Sequence, residues 1–363
     1  MYNNMTNRNL SVFLKVFLVL LLIETISDST GTALAFSQLR DARPSDSNSQ
    51  IYLPLVMYQM SAPYTGLPIL SEEYSTHPIF ICINNDEVGH LAQYGLSKAD
   101  VIYEYLINEA TLTRFTALFQ SQSPGRVGPV SSARMVNFWM TSMYDGVLAG
   151  AGGPDGIRFL LKYEVSFPYL DADIDDPQQN KYFFGVGNDY RTRLQTTPQL
   201  VNKWLDDEGH TTEWNRSGFS FSTVPSEGSS QASDNVIIPY PQGSQVEWRY
   251  DANKSGYLRF QNDRQHLDQL TGEAIVSQNI IVIFAEHRVT NIVVDSLGTK
   301  GLDITLYGSG KQLLFRDGLV YEGTWEANDV TPPRWLDGDG NEIVLKPGQS
   351  WIQVVQTTDV IQY

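Results

Sequence analysis

The sequence predicts an α+β protein, with an α/β N-terminal domain followed by a mostly β C-terminal domain. Three observations predict it. Strand-like and helix-like patterns alternate from Pro78 to Tyr163. After Asn235 short β-type runs follow one another, separated by turn residues. Between these regions Gly218–Asn235 is rich in Ser and Gly and has almost no periodicity. A length of 363 residues suits two domains better than one. The expected organisation is a leader over 1–35, a stalk over 36–77, an α/β domain over 78–217, a linker over 218–235 and a β-rich domain over 236–363.

The elements follow in chain order. Met1–Asn9 is polar with Arg8 as its cation, and Leu10–Ile23 is apolar apart from Ser11 and Lys15. Ala33-Leu34-Ala35 then offers the small residues a signal peptidase needs, with cleavage before Phe36. The apolar run is short for a membrane span, which takes about 20 residues. A cleaved export signal is the preferred reading, with an uncleaved anchor as the alternative. Membrane contact is then transient, through the leader. No cysteine lies near this segment to carry a lipid. Phe36–Gln50 is polar and reads as a stalk.

Ile79–Ile83, Val101–Ile107 and Arg114–Gln120 read as strands. In the third, Phe115, Ala117 and Phe119 alternate onto one face. A helix capped by Ser131 or Ser132 runs through Asp145, with Val136, Trp139, Met140 and Met143 as its apolar stripe. Val147–Ala151 is a strand, Gly150–Gly156 a glycine loop and Pro154–Tyr163 a helix with proline in its first turn. Ten strands are expected later: Val236–Ile238, Val246–Tyr250, Tyr257–Phe260, Ile280–Phe284, Ile292–Val294, Asp303–Tyr307, Lys311–Phe315, Leu319–Trp325, Glu342–Leu345 and Trp351–Gln356.

Composition removes several function classes. The chain is 42% hydrophobic and 18% charged, which is globular and not disordered. Its net charge of −16 argues against nucleic acid as a general partner, because phosphate contacts need a basic face. A single cysteine, Cys82, excludes an intramolecular disulfide, cysteine-rich zinc sites and CxxC redox chemistry. The loop Gly150-Ala151-Gly152-Gly153-Pro154-Asp155-Gly156 departs from GxGxxG at Asp155, so a tight turn is preferred to a dinucleotide site. Gly308-Ser309-Gly310-Lys311 imitates part of a P-loop, but Gln312 replaces the required Ser/Thr, and it reads as a hairpin turn. The run Asp337, Asp339, Asn341 reads as a solvated turn, and Asp171, Asp173, Asp175 and Asp176 likewise give no metal assignment. No cofactor is expected. HExxH, GxSxG and SxxK are all absent.

One window stands out. Ala110–Tyr144 contains no Asp or Glu, yet it holds Arg114, Arg126 and Arg134. Guanidinium groups are planar forks suited to phosphate or carboxylate. The window therefore reads either as an anion site or as arginines paired internally with Glu104 and Glu109 on the neighbouring strand. In the first case the three arginines are expected to converge near the glycine loop, on the edge where strand ends and helix starts gather. His266 and Asp268 are two apart, which on a strand puts them on one face as an acid–base pair or as an ordinary surface pair.

Gly95-Leu96-Ser97-Lys98-Ala99-Asp100-Val101-Ile102-Tyr103-Glu104 resembles the YerB-like lipoprotein family, a bacterial family of unknown function. The resemblance continues through Thr113-Arg114-Phe115, Phe119-Gln120-Ser121, Gly128-Pro129 and Ser132-Ala133-Arg134. It includes Asn84-Asn85 and Gly152-Gly153, and later Gly308-Ser309-Gly310-Lys311, Arg316-Asp317-Gly318, Gly323-Thr324-Trp325 and Pro347-Gly348-Gln349-Ser350-Trp351. It spans about Pro78 to Val355 and also takes in His266 and Asp268. Three features depart from the family pattern: no lipobox cysteine is present, Ser131 stands where arginine is usual, and Gln199 stands where histidine is usual. The resemblance implies an exported, envelope-associated protein and supplies no reaction. The function expected is binding of an anionic or glycan envelope ligand or a protein partner. The candidate ligand-binding residues are Arg114, Arg126, Arg134, Asn84, Asn85, Gly152 and Gly153. The alternative is an enzyme acting on envelope polymers or phosphate-bearing lipids, with Asp100, Glu104, Glu109, His266 or Asp268 as catalytic candidates.

Overall fold

The computed structural model describes residues 60–69, 77–108, 112–210, 214, 216–228, 230–241, 243–294, 298–328 and 330–363. The leader over 1–35, most of the stalk and Glu109 lie outside the described residues.

The first part of the chain forms β1 (Ile79–Asn84), β2 (Val101–Leu106), β3 (Thr113–Phe119), α1 (Val136–Tyr144), β4 (Val147–Gly150), α2 (Asp155–Tyr163), β5 (Tyr169–Asp171), α3 (Ala172–Asp175), β6 (Phe184–Gly185), β7 (Leu194–Gln195) and α4 (Pro198–Glu208). The remainder is all β. It comprises β8 (Gln231–Ala232), β9 (Asn235–Ile238), β10 (Val246–Asp251), β11 (Gly256–Gln261), β12 (Arg264–Gln265), β13 (Val276–Ser277), β14 (Asn279–Ala285), β15 (His287–Val293), β16 (Lys300–Ile304), β17 (Gly308–Arg316), β18 (Leu319–Asn328), β19 (Thr331–Asp337) and β20 (Ser350–Gln356). The fold is α+β, as the sequence predicts.

Ten of these strands form one sheet in the order β19-β18-β17-β14-β20-β2-β3-β1-β4-β5, and β8 adds an eleventh on β18. The C-terminal strand β20 lies at its centre, parallel to β14 on one side and to β2 on the other. This joins the two expected domains, which are not separate units: the described residues from Met60 to Tyr363 belong to one compact body. The physical reason is burial. Every residue of β1, β2 and β3 is buried, as are Ser350–Val355 of β20, so the central strands need cover on both faces and a neighbour on both edges.

One face carries Ile79, Ile81, Ile83, Phe115, Ala117, Phe119 and Trp351, packed with Val236, Ile238, Val246, Trp248 and Tyr257 of a second, five-stranded sheet. On the other face lie Phe80, Cys82, Tyr103, Tyr105 and Leu118, under Val136, Met140, Met143 and Tyr144 of α1 and Ile157 and Leu161 of α2. The predicted alternation of Phe115, Ala117 and Phe119 is the origin of this division.

Several expectations are corrected. The Gly218–Asn235 segment is bound to the body at several points: the Phe219 amide donates to Pro63 O, Phe221 bridges Leu345, and β8 pairs with β18. The stalk does not extend to residue 77, because Tyr64 is fully buried against Tyr144, Trp214 and Phe219. α1 starts at Val136 without a side-chain cap, so neither Ser131 nor Ser132 caps it. Gly308–Lys311 is not a turn but the start of β17, paired with Thr324–Ala327; the turn is at Asp317-Gly318. Glu342–Leu345 makes only isolated bridges, and β19 takes the edge position. Its Pro332-Pro333 pair suits an edge strand, where fewer ladder donors are needed.

Candidate functional site

β1, β4 and β5 run parallel, so their C-terminal ends share one edge of the sheet. β3 is antiparallel to β1, and its register sets Arg114 opposite Asn84, the last residue of β1. At this edge the chain leaves β4 through the glycine loop. Gly152 and Gly153 have φ of 73° and 137°, which side chains rarely adopt. A Cβ on Gly153 would lie 3.1 Å from Ala133 O, so the loop packs close to the segment entering α1. Ser131 is tied to both walls: its amide donates to Cys82 O, and its carbonyl accepts from Ala151 N.

A cleft of about 370 Å³ opens here, walled by Asn84, Asp86, Arg114, Ser131, Ser132 and Ala151, and by Asp173, Gln179, Tyr190, Arg191 and Arg193. Crevices beyond the carboxyl ends of parallel strands are the usual ligand sites of such sheets. Arg114 is only 8% exposed. Its Nη1 and Nη2 make long hydrogen bonds of 3.4 Å to Ser132 O and Asn84 Oδ1, and its Nε has no partner. Among the described residues no carboxylate lies within ion-pair distance of it. Burial pushes its pKa down.

Arg134 is similarly placed beneath the start of α1. Its Nη1 donates to Ala133 O at 2.9 Å, and its Nε is buried without a partner. Burial first, and then the charge of Arg114, bring its pKa down to about 9, so it stays cationic at neutral pH. The structure therefore brings Arg114 and Arg134 together. It does not bring Arg126 to them: that guanidinium stacks on Tyr94, 3.3 Å from the ring centroid, and lies outside the cleft.

Internal pairing with Glu104 fails for a geometric reason. Tyr105, not Glu104, stands opposite Arg114, so Glu104 projects to the other face of the sheet with Phe115. There it pairs with Arg259 of β11 at 2.8 Å, and neither side chain is exposed to solvent. Arg259 also donates to His266 Nδ1 at 2.7 Å and Gln261 Oε1 at 2.9 Å, and His266 Nε2 lies 2.5 Å from Gln93 Oε1. This assigns His266 as a neutral ring that accepts at Nδ1 and donates at Nε2; burial and Arg259 hold its pKa well below the usual range. Asn85 belongs to the same network, donating to Thr113 Oγ1 at 2.7 Å and accepting from Gln93 at 3.1 Å.

The other acidic candidates are structural too. Asp268 does not pair with His266. It accepts from Gly95 N, Ser97 N, Ser97 Oγ and Leu270 N. Asp100 accepts from Gln120 N, Ser121 N and the Ser121 hydroxyl, and burial raises its pKa to about 6. Asp100, Glu104, His266 and Asp268 all stand apart from the cleft residues. Asp171 is held bidentately by Arg158, Asp175 by Lys162, and Asp176 accepts four backbone amides from Asn180 to Phe183.

Sequence reasoning met Asp173 only as part of an acidic cluster and did not reach Asp86, Tyr190, Arg191 and Arg193. The only sequence signal for the last three is the basic, aromatic run Asp189–Arg193, which lies far beyond the acid-free window. Gln199 caps nothing in the cleft and donates to Ser123 O at 3.1 Å.

Known proteins resemble the chain over most of its length. Residues 64–211 match the family model described as "Protein of unknown function (DUF3048) N-terminal domain", and residues 210–352 match the corresponding C-terminal domain. A Bacillus subtilis (strain 168) protein named "Putative lipoprotein YerB" is 28% identical over 323 residues, which is 85% of this chain and 89% of that protein. A crystal structure of YerB protein from Bacillus subtilis matches with a TM-score of 0.71 at 28% identity, covering 84% of this chain and 100% of that one.

Proposed function

The chain belongs to the DUF3048 family of unknown function, and on that premise we propose that it is an exported, envelope-associated protein that binds an anionic ligand in the Arg114 cleft. Arg114 carries the reading. A guanidinium that is almost fully buried, has no ion-pair partner among the described residues and opens onto a cleft is incompletely solvated by its own protein. A phosphate or carboxylate would supply the missing acceptors in bidentate form. Arg134 behind it and Arg193 beside it add positive charge in a chain whose net charge is −16. Export rests on the Leu10–Ile23 apolar run followed by Ala33-Leu34-Ala35, and envelope association on the lipoprotein name of the Bacillus relative.

Binding is the reading chosen because Asp100, Glu104, His266 and Asp268 are committed to buried hydrogen bonds elsewhere. The test is calorimetric titration of the protein with inorganic phosphate and with acetate. Wild type is expected to bind at least one of them, Arg126→Gln to bind equally well, and a folded Arg114→Gln to lose binding by at least tenfold, the worth of a charge-assisted hydrogen bond. Equal binding by wild type and Arg114→Gln would overturn the reading.

A further inference from the structure

The cleft also holds an opposite charge, Asp86, whose field reaches Arg114 and Arg191 without an ion pair to either. Asp86 lines the same wall as Arg114, and the two meet at one atom: Asn84 Oδ1 accepts from Arg114 Nη2 at 3.4 Å and from the Asp86 amide at 3.3 Å. Despite this nearness they form no ion pair. Asp86 is turned so that Oδ1 accepts from Val88 N at 3.0 Å and Gly89 N at 2.6 Å, while Oδ2 has no bonded partner among the described residues. Asn84 in turn is immobilised. Its side chain donates to Arg191 O at 3.2 Å, its carbonyl accepts from Gln93, and Gly89 packs so closely on it that a Cβ would lie 2.6 Å from Asn84 Nδ2. The spacer between the two charges is therefore rigid.

Resting on the anion-site reading, we propose that the cleft selects a small zwitterion, with the ligand's carboxylate or phosphate on Arg114 and its ammonium group on Asp86 Oδ2. A fixed guanidinium and a fixed carboxylate, held apart and both facing one cavity, are complementary to a ligand that carries the two opposite charges at a similar separation. A plain anion satisfies Arg114 and leaves Asp86 opposed to it. A zwitterion satisfies both. The cavity of about 370 Å³ has room for a ligand the size of an amino acid or a dipeptide.

The test compares glycylglycine with N-acetylglycine by calorimetric titration of the intact chain. The two share a carboxylate and a peptide group and differ in the ammonium. Wild type is expected to bind glycylglycine about tenfold more tightly, the discrimination expected of one charge-assisted hydrogen bond. Asp86→Asn keeps the oxygen that accepts from Val88 N and Gly89 N, so the turn is preserved. It is expected to bring glycylglycine down to the level of N-acetylglycine and to leave N-acetylglycine unweakened. Asp173→Asn is expected to keep the preference. If wild type binds both ligands equally, or if Asp86→Asn retains the tenfold preference, the zwitterion inference falls while the anion site stands. If neither ligand binds but phosphate does, the inference likewise falls alone. If none of the anions binds, both fall.

Discussion

Glu104→Gln tests whether one buried ion pair couples the two halves of the molecule. Glu104 lies on β2 in the centre of the large sheet, and Arg259 reaches it from β11 in the smaller one. Glutamine preserves an acceptor for Thr113 Oγ1, which donates to Glu104 Oε1 at 2.9 Å. At Oε2, however, it sets an amide donor or a neutral oxygen against Arg259 Nη2, which lies 2.8 Å away. The guanidinium would remain buried without its counter-charge. Phe115, Trp351 and Trp248, with ring centroids 5.1 Å, 4.9 Å and 5.8 Å from the guanidinium carbon, stay beside it together with His266 and Gln261. Removing one member of a buried pair costs about 3–5 kcal/mol. At roughly 2 °C per kcal/mol for a chain of this size, Tm should fall by about 6–10 °C. The assay is urea and thermal unfolding of wild type, Glu104→Gln, Arg259→Met and the double variant. The double variant should cost clearly less than the sum of the two, with a coupling of at least about 2 kcal/mol. Unfolding should stay a single transition in wild type, because the pair and the β2–β20 ladder both span the division between the family domains. A cost below about 1 kcal/mol, or strict additivity, would refute the reasoning.

Three further outcomes are expected. Burial, then Arg259 and Arg264, hold His90 at about 4, below its ordinary 6.5, so the unfolded chain binds more protons between these values and the stability His90 contributes is lost as pH falls from about 6.5 to about 4. His90→Gln should therefore gain on wild type by roughly 2–3 kcal/mol between pH 7 and pH 4.5 in urea titrations; Asp100, raised to about 6, titrates with the opposite sign and cancels in the subtraction, and a pH-independent difference would count against the assignment. Gly323→Ala would set a Cβ 1.8 Å from Leu336 O across the β18–β19 ladder, and should lower stability by about 3 kcal/mol in chemical unfolding, near the upper end for overpacking. A chain ending at residue 210 should lack a cooperative thermal transition, since β2 loses β20 and its buried edge is left open.

Local patterns were legible because they are written in neighbouring residues. The alternation of Phe115, Ala117 and Phe119 and the stripe Val136, Met140, Met143 both pack as their periods require. Partnership between distant strands has no such signal. Val101–Glu104 pairs with Ser350–Gln353, and Glu104 finds its cation 155 residues away. The Ser- and Gly-rich stretch at Gly218–Asn235 reads as a linker for the same reason: its few apolar residues, such as Phe219 and Phe221, are anchored by Pro63 and Leu345, which lie far from it in the sequence.

The acid-free window shows how much meaning a composition signal keeps once strand parity is applied. Glu104 and Arg114 sit on adjacent strands, and distance alone would pair them. Their registers differ by one residue, and one residue on a strand is the difference between two faces. Glu104 thus meets Arg259 within the core, where the charges cancel. Arg114 turns to the face beneath α1, where Asn84, Ser132 and Arg134 are polar neighbours and, among the described residues, no acid lies within pairing distance. Arg126, from the same window, stacks on Tyr94. One compositional gap therefore contains a stacked cation and two uncompensated ones, and only register and face tell them apart. Of the two uncompensated guanidiniums, Arg114 alone lines the cleft, which makes its occupancy the quantity that separates a binding site from a strained core.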